Sequence, residues 1–357
     1  MRRIKILLFI LFISETVIAT NHSKKLDSIA AEKIDTNYIH DFDEELNIKL
    51  VDEVDNNNFS IRDNITQKTY GYNINTAVNL GFGVDYRGIG FELLFTPNSF
   101  NNDDNLYGRT KQFSLSTGAN SRRFTYSAYI RRNQGFHSTV GSKIPGDTTG
   151  ALEYYYRPDI TNYDVGGEFT YIVKNKKFSS SAPYDFTQRQ IKSTGSLLIG
   201  GFFSVYGINA DSVVIPDSLK KNFKPEVQFR KASTFTIGAS CGYTYTLVFH
   251  KYWFVNIYLL PGLAIQRYAS INAYDQQTKP NVTLGLAFQG RLAFGVNKKR
   301  NYLGIAFSGN DYTINNDTKS SLNYHYGSIR LCYGHRFDAP KILKRQVDRM
   351  TWLTRWL

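Results

Sequence analysis

Cysteine is nearly absent. Two residues in 357, Cys241 and Cys332, cannot build a disulfide framework, and both fall in alternating segments that suit free thiols, buried or lipid-facing. Long apolar runs are missing too. After the N-terminal twenty residues no stretch of about 18 apolar residues occurs, which excludes a transmembrane helix from the remainder. No HExxH, Walker or clustered Cys/His pattern is present, so no metal or cofactor is expected. Glycine-rich stretches such as LGFGVDYRGIGF precede no helical pattern and read as strand and turn glycines rather than phosphate loops.

What is present begins with MRRIKILLFILFISETVIAT. Arg2, Arg3 and Lys5 precede a short apolar core, Ile6 to Ile13, and Val17-Ile18-Ala19 fits a cleavage site. Residues 1–19 are therefore expected to be an export signal rather than a membrane anchor, which would need a longer run. The formal charge is +13, and removal of Arg2, Arg3, Lys5 and Glu15 leaves +11. Residues 20–64 carry 5 Lys/Arg against 11 Asp/Glu, and residues 339–357 carry 5 Lys/Arg against 1 Asp. An exported chain without a nucleic-acid motif is not expected to bind nucleic acid. Its basic charge better suits outer-membrane lipid and lipopolysaccharide phosphate as partners.

The stretch FTIGASCGYTYTLVF (235–249) places large apolar residues on one parity and small or polar ones on the other. A period of two is that of a β-strand, and 15 residues exceed the usual globular strand of about 5–6. The pattern recurs at 78–86, 89–95, 113–116, 124–131, 165–173, 197–205, 253–265, 282–294, 303–307 and 329–337, giving eleven strands. A weaker twelfth is expected within 46–66. Tight turns (Arg87-Gly88, Gly118 to Arg122, His250-Lys251, Asn297 to Arg300) alternate with long polar loops near 67–77, 97–110, 134–163, 207–231, 269–280 and 309–321. With twelve strands and both termini periplasmic, the long loops share one side, as in outer-membrane barrels.

The expected fold is therefore all-β, a transmembrane antiparallel up-and-down β-barrel of about 12 strands, within a range of 10–14. Residues 20–45 form a periplasmic N-terminal segment, 46–338 the barrel and 339–357 a basic amphipathic C-terminal helix. Leu26, Ile29 and Ala30 have helical spacing within the N-terminal segment. The C-terminal stripe of Leu343, Val347, Met350, Leu353 and Leu357 fits either a membrane surface or the barrel mouth. A soluble sandwich or lipocalin-like barrel would also alternate. Strand lengths sufficient to cross a bilayer, the Gly/Ser/Thr-rich second face and the aromatic Phe337 closing the last strand favour the membrane barrel. Two irregularities remain: residues 174–194 are long for a periplasmic turn, and Pro261 predicts a bulge.

Parity assigns Asp85, Glu92, Arg131, Glu168, Gln289, Arg291 and Arg330 to the lumen. Ionisable residues at membrane depth face a protein interior or water. Here they either line a pore or brace a filled barrel, and twelve strands are narrow enough to fill. Among the six histidines none pairs convincingly with a Ser and a carboxylate. His137-Ser138 sits in a long loop, His250 in a turn and His335 on the lipid face, so no enzyme is expected.

The stretches DTNYI (35–39), NLGFGVDYRGIGFEL (79–93), DDNLYGRTKQFSL (103–115), RRFTYSAYIRRNQGF (122–136) and YRPDITNYDVGGEFTYIVKNKKFSSSAPYDFTQRQIKSTGSLLIGG (156–201) are similar to an outer-membrane β-barrel family of Bacteroidota, domain of unknown function 4421. The resemblance covers roughly residues 35–338. It implies a barrel in the outer membrane and no particular activity. The basic tail after Phe337 departs from the family pattern. The long 174–194 segment lies in the most family-like region, where it either plugs the lumen or meets a periplasmic or outer-membrane protein partner, unless part of it extends the flanking strands. Three functions follow as expectations: a structural or partner-binding barrel with an occluded lumen, a narrow channel or transporter for small solutes, or a barrel enzyme acting on lipid or lipopolysaccharide.

Overall fold

In the computed structural model, residues 34–87, 89–97, 103–139, 142–143, 152–272, 274, 276–316 and 319–349 are described. The expected export signal, the helical spacing at Leu26, Ile29 and Ala30, and the C-terminal stripe positions Met350, Leu353 and Leu357 lie outside them. The long strands run in chain order: β2 (Glu45–Asp63), β3 (Lys68–Asn73), β4 (Val78–Tyr86), β5 (Ile89–Phe95), β6 (Lys111–Asn120), β7 (Phe124–Ser138), β10 (Tyr156–Ile172), β12 (Thr194–Asn209), β13 (Phe229–Phe249), β14 (Trp253–Asn272), β15 (Asn281–Asn297), β16 (Asn301–Asn316) and β17 (Ser320–Asp338). Short strands β1 (Ile39–Asp41) and β11 (Gln188–Gln190) pair with each other, as do β8 (Ser142–Lys143) and β9 (Leu152–Glu153). Among the described residues two α-helices, α1 (Asp104–Tyr107) and α2 (Lys341–Arg349), lie outside the sheet.

The sheet is antiparallel and closes on itself. From β7 through β10 and β12 to β17 each strand pairs with the next along the wall, and β17 pairs with β2 from Ser320↔Asp63 to Asp338↔Glu45. The end carrying Glu45 and Asp338 is the lower end. In the upper half β3 pairs with β2 and meets β7 at Tyr72↔Ser138 and Asn73↔His137, so ten strands complete the ring there. In the lower half β2 pairs with β4, β4 with β5 and β6 with β7, which gives twelve. The difference from a uniform twelve-stranded cylinder lies in residues 68–73, read as loop from sequence. Their brief KTYGYN alternation shortcuts three strands. Among the described residues β5 and β6 do not pair, leaving a seam in the lower wall.

Loop lengths differ from the sequence reading where strands outgrow their apolar stripes. Strands β16 and β17 stay in register from Asn301↔His335 to Asn316↔Ser320, so the expected long loop at 309–321 is a connection of three residues. Pro261 causes no bulge. It sits opposite Phe288, and the β13–β14 register resumes unshifted at Tyr243↔Leu259, because the ring faces outward and only local ladder bonds are lost. Register shifts occur instead between Arg157 and Thr161 and between Phe229 and Lys231.

The outward face is apolar. Leu263 is 68% exposed and Leu284 73%, with Ile237, Leu247, Phe235 and Leu286 similarly bare. The inward face between them is Gly, Ser, Thr, Asn and Gln, with Thr236, Ser204, Asn256 and Gln266 essentially inaccessible. This distribution inverts that of a soluble barrel and suits a lipid-facing wall, whose backbone groups are paired along the ladder except at the β5–β6 seam. No described helix is long and apolar enough to cross a membrane.

Both mouths are filled. At the upper end residues 210–228 fold inward, burying Val213, Val214, Ile215, Phe223 and Val227 against Phe59, Ile61, Phe136, Ile208, Ile314 and Leu322 of the wall. Tyr72 Oη donates to the Val214 carbonyl (2.7 Å), Arg157 to the Val213 carbonyl (3.0 Å), and the Lys224 amide to buried Asp63 (2.9 Å). At the lower end residues 173–193 leave the sheet after Ile172 and rejoin it at Thr194, packing with 34–44 through the β1–β11 pair. The segment therefore does not extend the flanking strands.

Two outcomes test this architecture. Leu286→Arg should cost roughly 2–4 kcal/mol in bilayer refolding, whereas Leu286→Phe stays near neutral. Equal stabilities would contradict the lipid-facing assignment. Alternate amides of β6 should exchange with deuterium faster than those of β14, whose neighbours pair it on both sides, as mass spectrometry of fragments would show.

Candidate functional site

The seven lumen candidates converge in the lower and middle barrel, because residues two apart on each strand point inward and the cylinder is narrow enough for side chains to meet. They form three groups. In the first, Arg330 on β17 reaches Glu53 on β2 (2.8 Å) and Glu92 on β5 (2.5 Å), while Lys49 on β2 reaches Asp85 on β4 (3.0 Å) and Glu92 (3.4 Å). Asn47 adds a bond to Asp85 (3.2 Å).

In the second, Glu168 on β10 accepts from Ser127 (2.9 Å), from Gln289 Nε2 (2.7 Å) and from Arg291 (3.3 Å). Gln289 and Arg291 lie on β15, with β12, β13 and β14 intervening along the wall, so these bonds cross the lumen. Tyr258 Oη donates to Gln289 Oε1 (3.0 Å) and its ring lies 5.1 Å from the Arg291 guanidinium.

In the third, Arg131 on β7 lies between the rings of Tyr129 (3.9 Å) and Tyr326 (3.5 Å) and contacts Asp164 (3.4 Å). Tyr326 Oη donates to Asp55 (2.8 Å). Above it Tyr206 on β12 stacks on Tyr324 of β17 at 4.0 Å, Tyr324 stacks on Tyr312 at 4.7 Å, and Ser204 bonds both Tyr324 and Asp164. Asn162 on β10 reaches Asn57 on β2 (3.1 Å).

Alternation alone missed Lys49, Glu53, Asp55 and Asp164, and the tyrosines that fill the axis. Three of these carboxylate and amine partners, Lys49, Glu53 and Asp55, sit on β2; the signal that could have found them is their shared parity, since charge at membrane depth faces inward. Two small pockets in the described wall, one beside Glu168, Gln289 and Tyr312 and one beside Tyr184, Tyr258 and Arg291, hold about 20 and 10 Å³, room for roughly one water each at most.

The lower plug seats against this belt. Tyr184 Oη donates to Asn256 (2.6 Å), Asn120 donates to Asp185 (2.6 Å), and Phe178 packs with Ile172, Leu198, Tyr258 and Leu260. Phe186 stacks on Tyr302 at 4.3 Å in a slot that exists because residue 304 is glycine; a Cβ there would meet the Phe186 ring. Arg336, fully buried on β17, pins the assembly. It donates to the carbonyls of Lys298 (2.7 Å), Lys299 (3.1 Å) and Phe186 and to Asn297 Oδ1 (2.8 Å), with Phe42 of the N-terminal segment over its guanidinium at 3.7 Å.

A hydrolytic arrangement does not assemble around the histidines considered from sequence. His137 Nδ1 faces the Ser138 carbonyl (3.0 Å), its ring packs on Tyr107 and Tyr154, and Ser138 Oγ accepts from the Tyr155 amide. His335 contacts Asn301, and His250 stands exposed in its turn with φ 44°. Among the described residues no three His, Cys, Asp or Glu side chains group as a metal site.

The lumen arrangement predicts strong coupling. Arg330→Ala leaves Glu53 without an ion-pair partner and Glu92 with Lys49 alone, and should cost roughly 3 kcal/mol, near the low end for a buried pair because each partner keeps some hydration. Adding Glu53→Gln and Glu92→Gln should recover most of that loss, measured by denaturant unfolding in detergent.

No curated protein matches the chain. Among solved structures it is similar to the outer membrane protease OmpT from Escherichia coli, at 7% identity over 84% of this chain and 98% of that one, TM-score 0.35. It is also similar to the toluene transporter TodX from P. putida (8%, 83% and 91%, TM-score 0.25) and to OmpT of Vibrio cholerae (10%, 81% and 97%, TM-score 0.27). A family model described as a domain of unknown function matches residues 33–337, the whole wall and both plugs, and by that match the chain belongs to the DUF4421 family.

Proposed function

We propose that this protein is an outer-membrane barrel with an occluded lumen that acts through its surfaces as a structural or partner-binding element, with both termini in the periplasm. The observation that carries this reading is the belt of cross-lumen contacts: Glu168 to Gln289 and Arg291, Tyr206 on Tyr324, Arg131 on Tyr326. A conducting pore needs a continuous water path. Here side chains from opposite walls touch at mid-height, and inward-folded segments cover that belt from both ends. The apolar exterior supports the location, as does the N-terminal sequence, whose basic start and short apolar core read as an export signal. Outer-membrane lipid and lipopolysaccharide would surround the wall, and the plugged periplasmic mouth offers a surface to a protein partner. On this reading the barrel acts without a catalytic centre.

Single-channel recording on protein refolded into planar bilayers tests occlusion. The expected result is a silent baseline at moderate voltage. Steady unit conductance from the intact chain would replace this reading with that of a narrow solute channel.

A further inference from the structure

The two ends of the barrel differ sharply in charge. The segments at the lower end (34–44, 87, 121–123, 173–193, 250–252, 298–300 and 339–349) hold 16 Lys/Arg against 6 Asp/Glu. The described residues of the connections at the upper end (64–67, 74–77, 96–97, 103–110, 139, 142–143, 152–155, 210–228, 274, 276–280 and 319) hold 7 against 6. The excess positive charge of the mature chain is therefore concentrated at one rim.

Within that rim Lys174, Lys192, Lys251, Lys298, Lys299 and Lys341 are exposed, and their ammonium groups make no ion pair among the described residues. They follow β10, precede β12, join β13 to β14, join β15 to β16 and follow β17, an arc along consecutive strands of one wall. An aromatic band lies just inside the arc: Trp253 two residues from Lys251, Phe294 four from Lys298, Phe337 four from Lys341, with Trp253 and Phe294 in ring contact at 5.5 Å. Aromatic bands sit at the membrane interface, so ammonium groups one turn beyond them stand at headgroup depth. Helix α2 docks there through Leu343, which packs with Leu46, Tyr86 and Ala339, and holds Lys341 and Arg345 at the same rim.

We propose that this arc is a binding surface for anionic phospholipid headgroups of the leaflet at the lower end, the periplasmic leaflet. The inference rests on the membrane-spanning reading above. The distribution favours lipid as the occupant: a single protein ligand or glycan would be met by cations gathered in one pocket or cleft, whereas an arc following the wall matches an annulus of lipids. Each ammonium offers three donors to phosphate oxygens and attracts an anionic surface over about a Debye length.

The test uses the full chain refolded into nanodiscs of mixed phosphatidylcholine and phosphatidylglycerol, with lipids retained after extraction counted by native mass spectrometry. The wild type should enrich phosphatidylglycerol by about five-fold or more, the factor that one interfacial lysine confers. Lys251→Gln, Lys298→Gln, Lys299→Gln and Lys341→Gln together should abolish the enrichment. Lys220→Gln, Lys221→Gln and Lys279→Gln at the opposite end should preserve it. Added salt should weaken it in the wild type. Incorporation without enrichment, or an enrichment that survives the four lower-rim changes, overturns this proposal alone; failure of the wild type to incorporate into any bilayer overturns the membrane reading beneath it.

Discussion

The molecule depends on closure of the sheet between β2 and β17. Backbone groups left unpaired in hydrocarbon cost several kcal/mol each, so a β-sheet survives there only without free edges. The two strands are nearly the whole chain apart in sequence, yet they zip over their full length from Asp63↔Ser320 to Glu45↔Asp338. Closure commits one face of every strand to the outside and the other to a narrow cylinder, and the remaining features follow from what must then fit within it. Where closure is incomplete, at the β5–β6 seam, the wall is weakest. The upper half avoids the difficulty by routing its ring through β3, which leaves a ten-stranded collar that an apolar lid can fill.

Inside the cylinder, charges do more to define the arrangement than to stabilise it. A buried ion pair roughly breaks even against well-packed apolar groups, since desolvation offsets attraction. Its value here lies in what it forbids. A slip of one residue in any strand would turn Glu168, Arg291 or Arg330 toward lipid and bring the leucines inward, a change far more costly than the pair is stabilising. The cross-lumen bonds also couple strands that never pair: Glu168 ties β10 to β15, and Tyr324 ties β17 to β12. Small inward residues are the other half of this design, because the slots they leave admit aromatic rings such as Phe186 over Gly304.

Period-two alternation made the wall legible. The parity of Phe235, Ile237 and Leu247 is the parity of exposure, and the seven polar residues assigned to the lumen by the same rule all lie in the interior networks. Parity states which way a side chain points and says nothing of its height or of the residue opposite. The partnership of Glu168 with residues 121 and 123 positions away was therefore invisible, as was the stacking of three tyrosines on the axis. Strand ends beyond the apolar belt were lost for a related reason: from 309 to 316 the outward face is polar while Tyr312 and Ile314 point inward to the lid, so the ladder continues where the lipid-facing pattern stops. The upper lid left a trace in Val213-Val214-Ile215, an apolar run inside a loop, which only burial explains.

The 173–193 segment shows how one connection serves two surfaces. Its inward side supplies Phe178, Tyr184 and Phe186 to the plug, and its outward side supplies Lys174 and Lys192 to the basic rim. Both roles require a fixed orientation, and Arg336 provides it. A buried guanidinium without a carboxylate is held because four oxygens accept from its two NH2 groups, leaving Nε–H alone without an acceptor, and the faces of Phe42 and Tyr302 stabilise its charge. Those acceptors belong to the plug and to the β15–β16 turn, while Phe42 comes from the N-terminal segment. One side chain thus holds together three pieces that share no strand, and the turn it grips is the one bearing Lys298 and Lys299. The seal of the lower mouth and the position of the cations around it are consequently parts of a single rigid arrangement, so that loosening one would disorder the other.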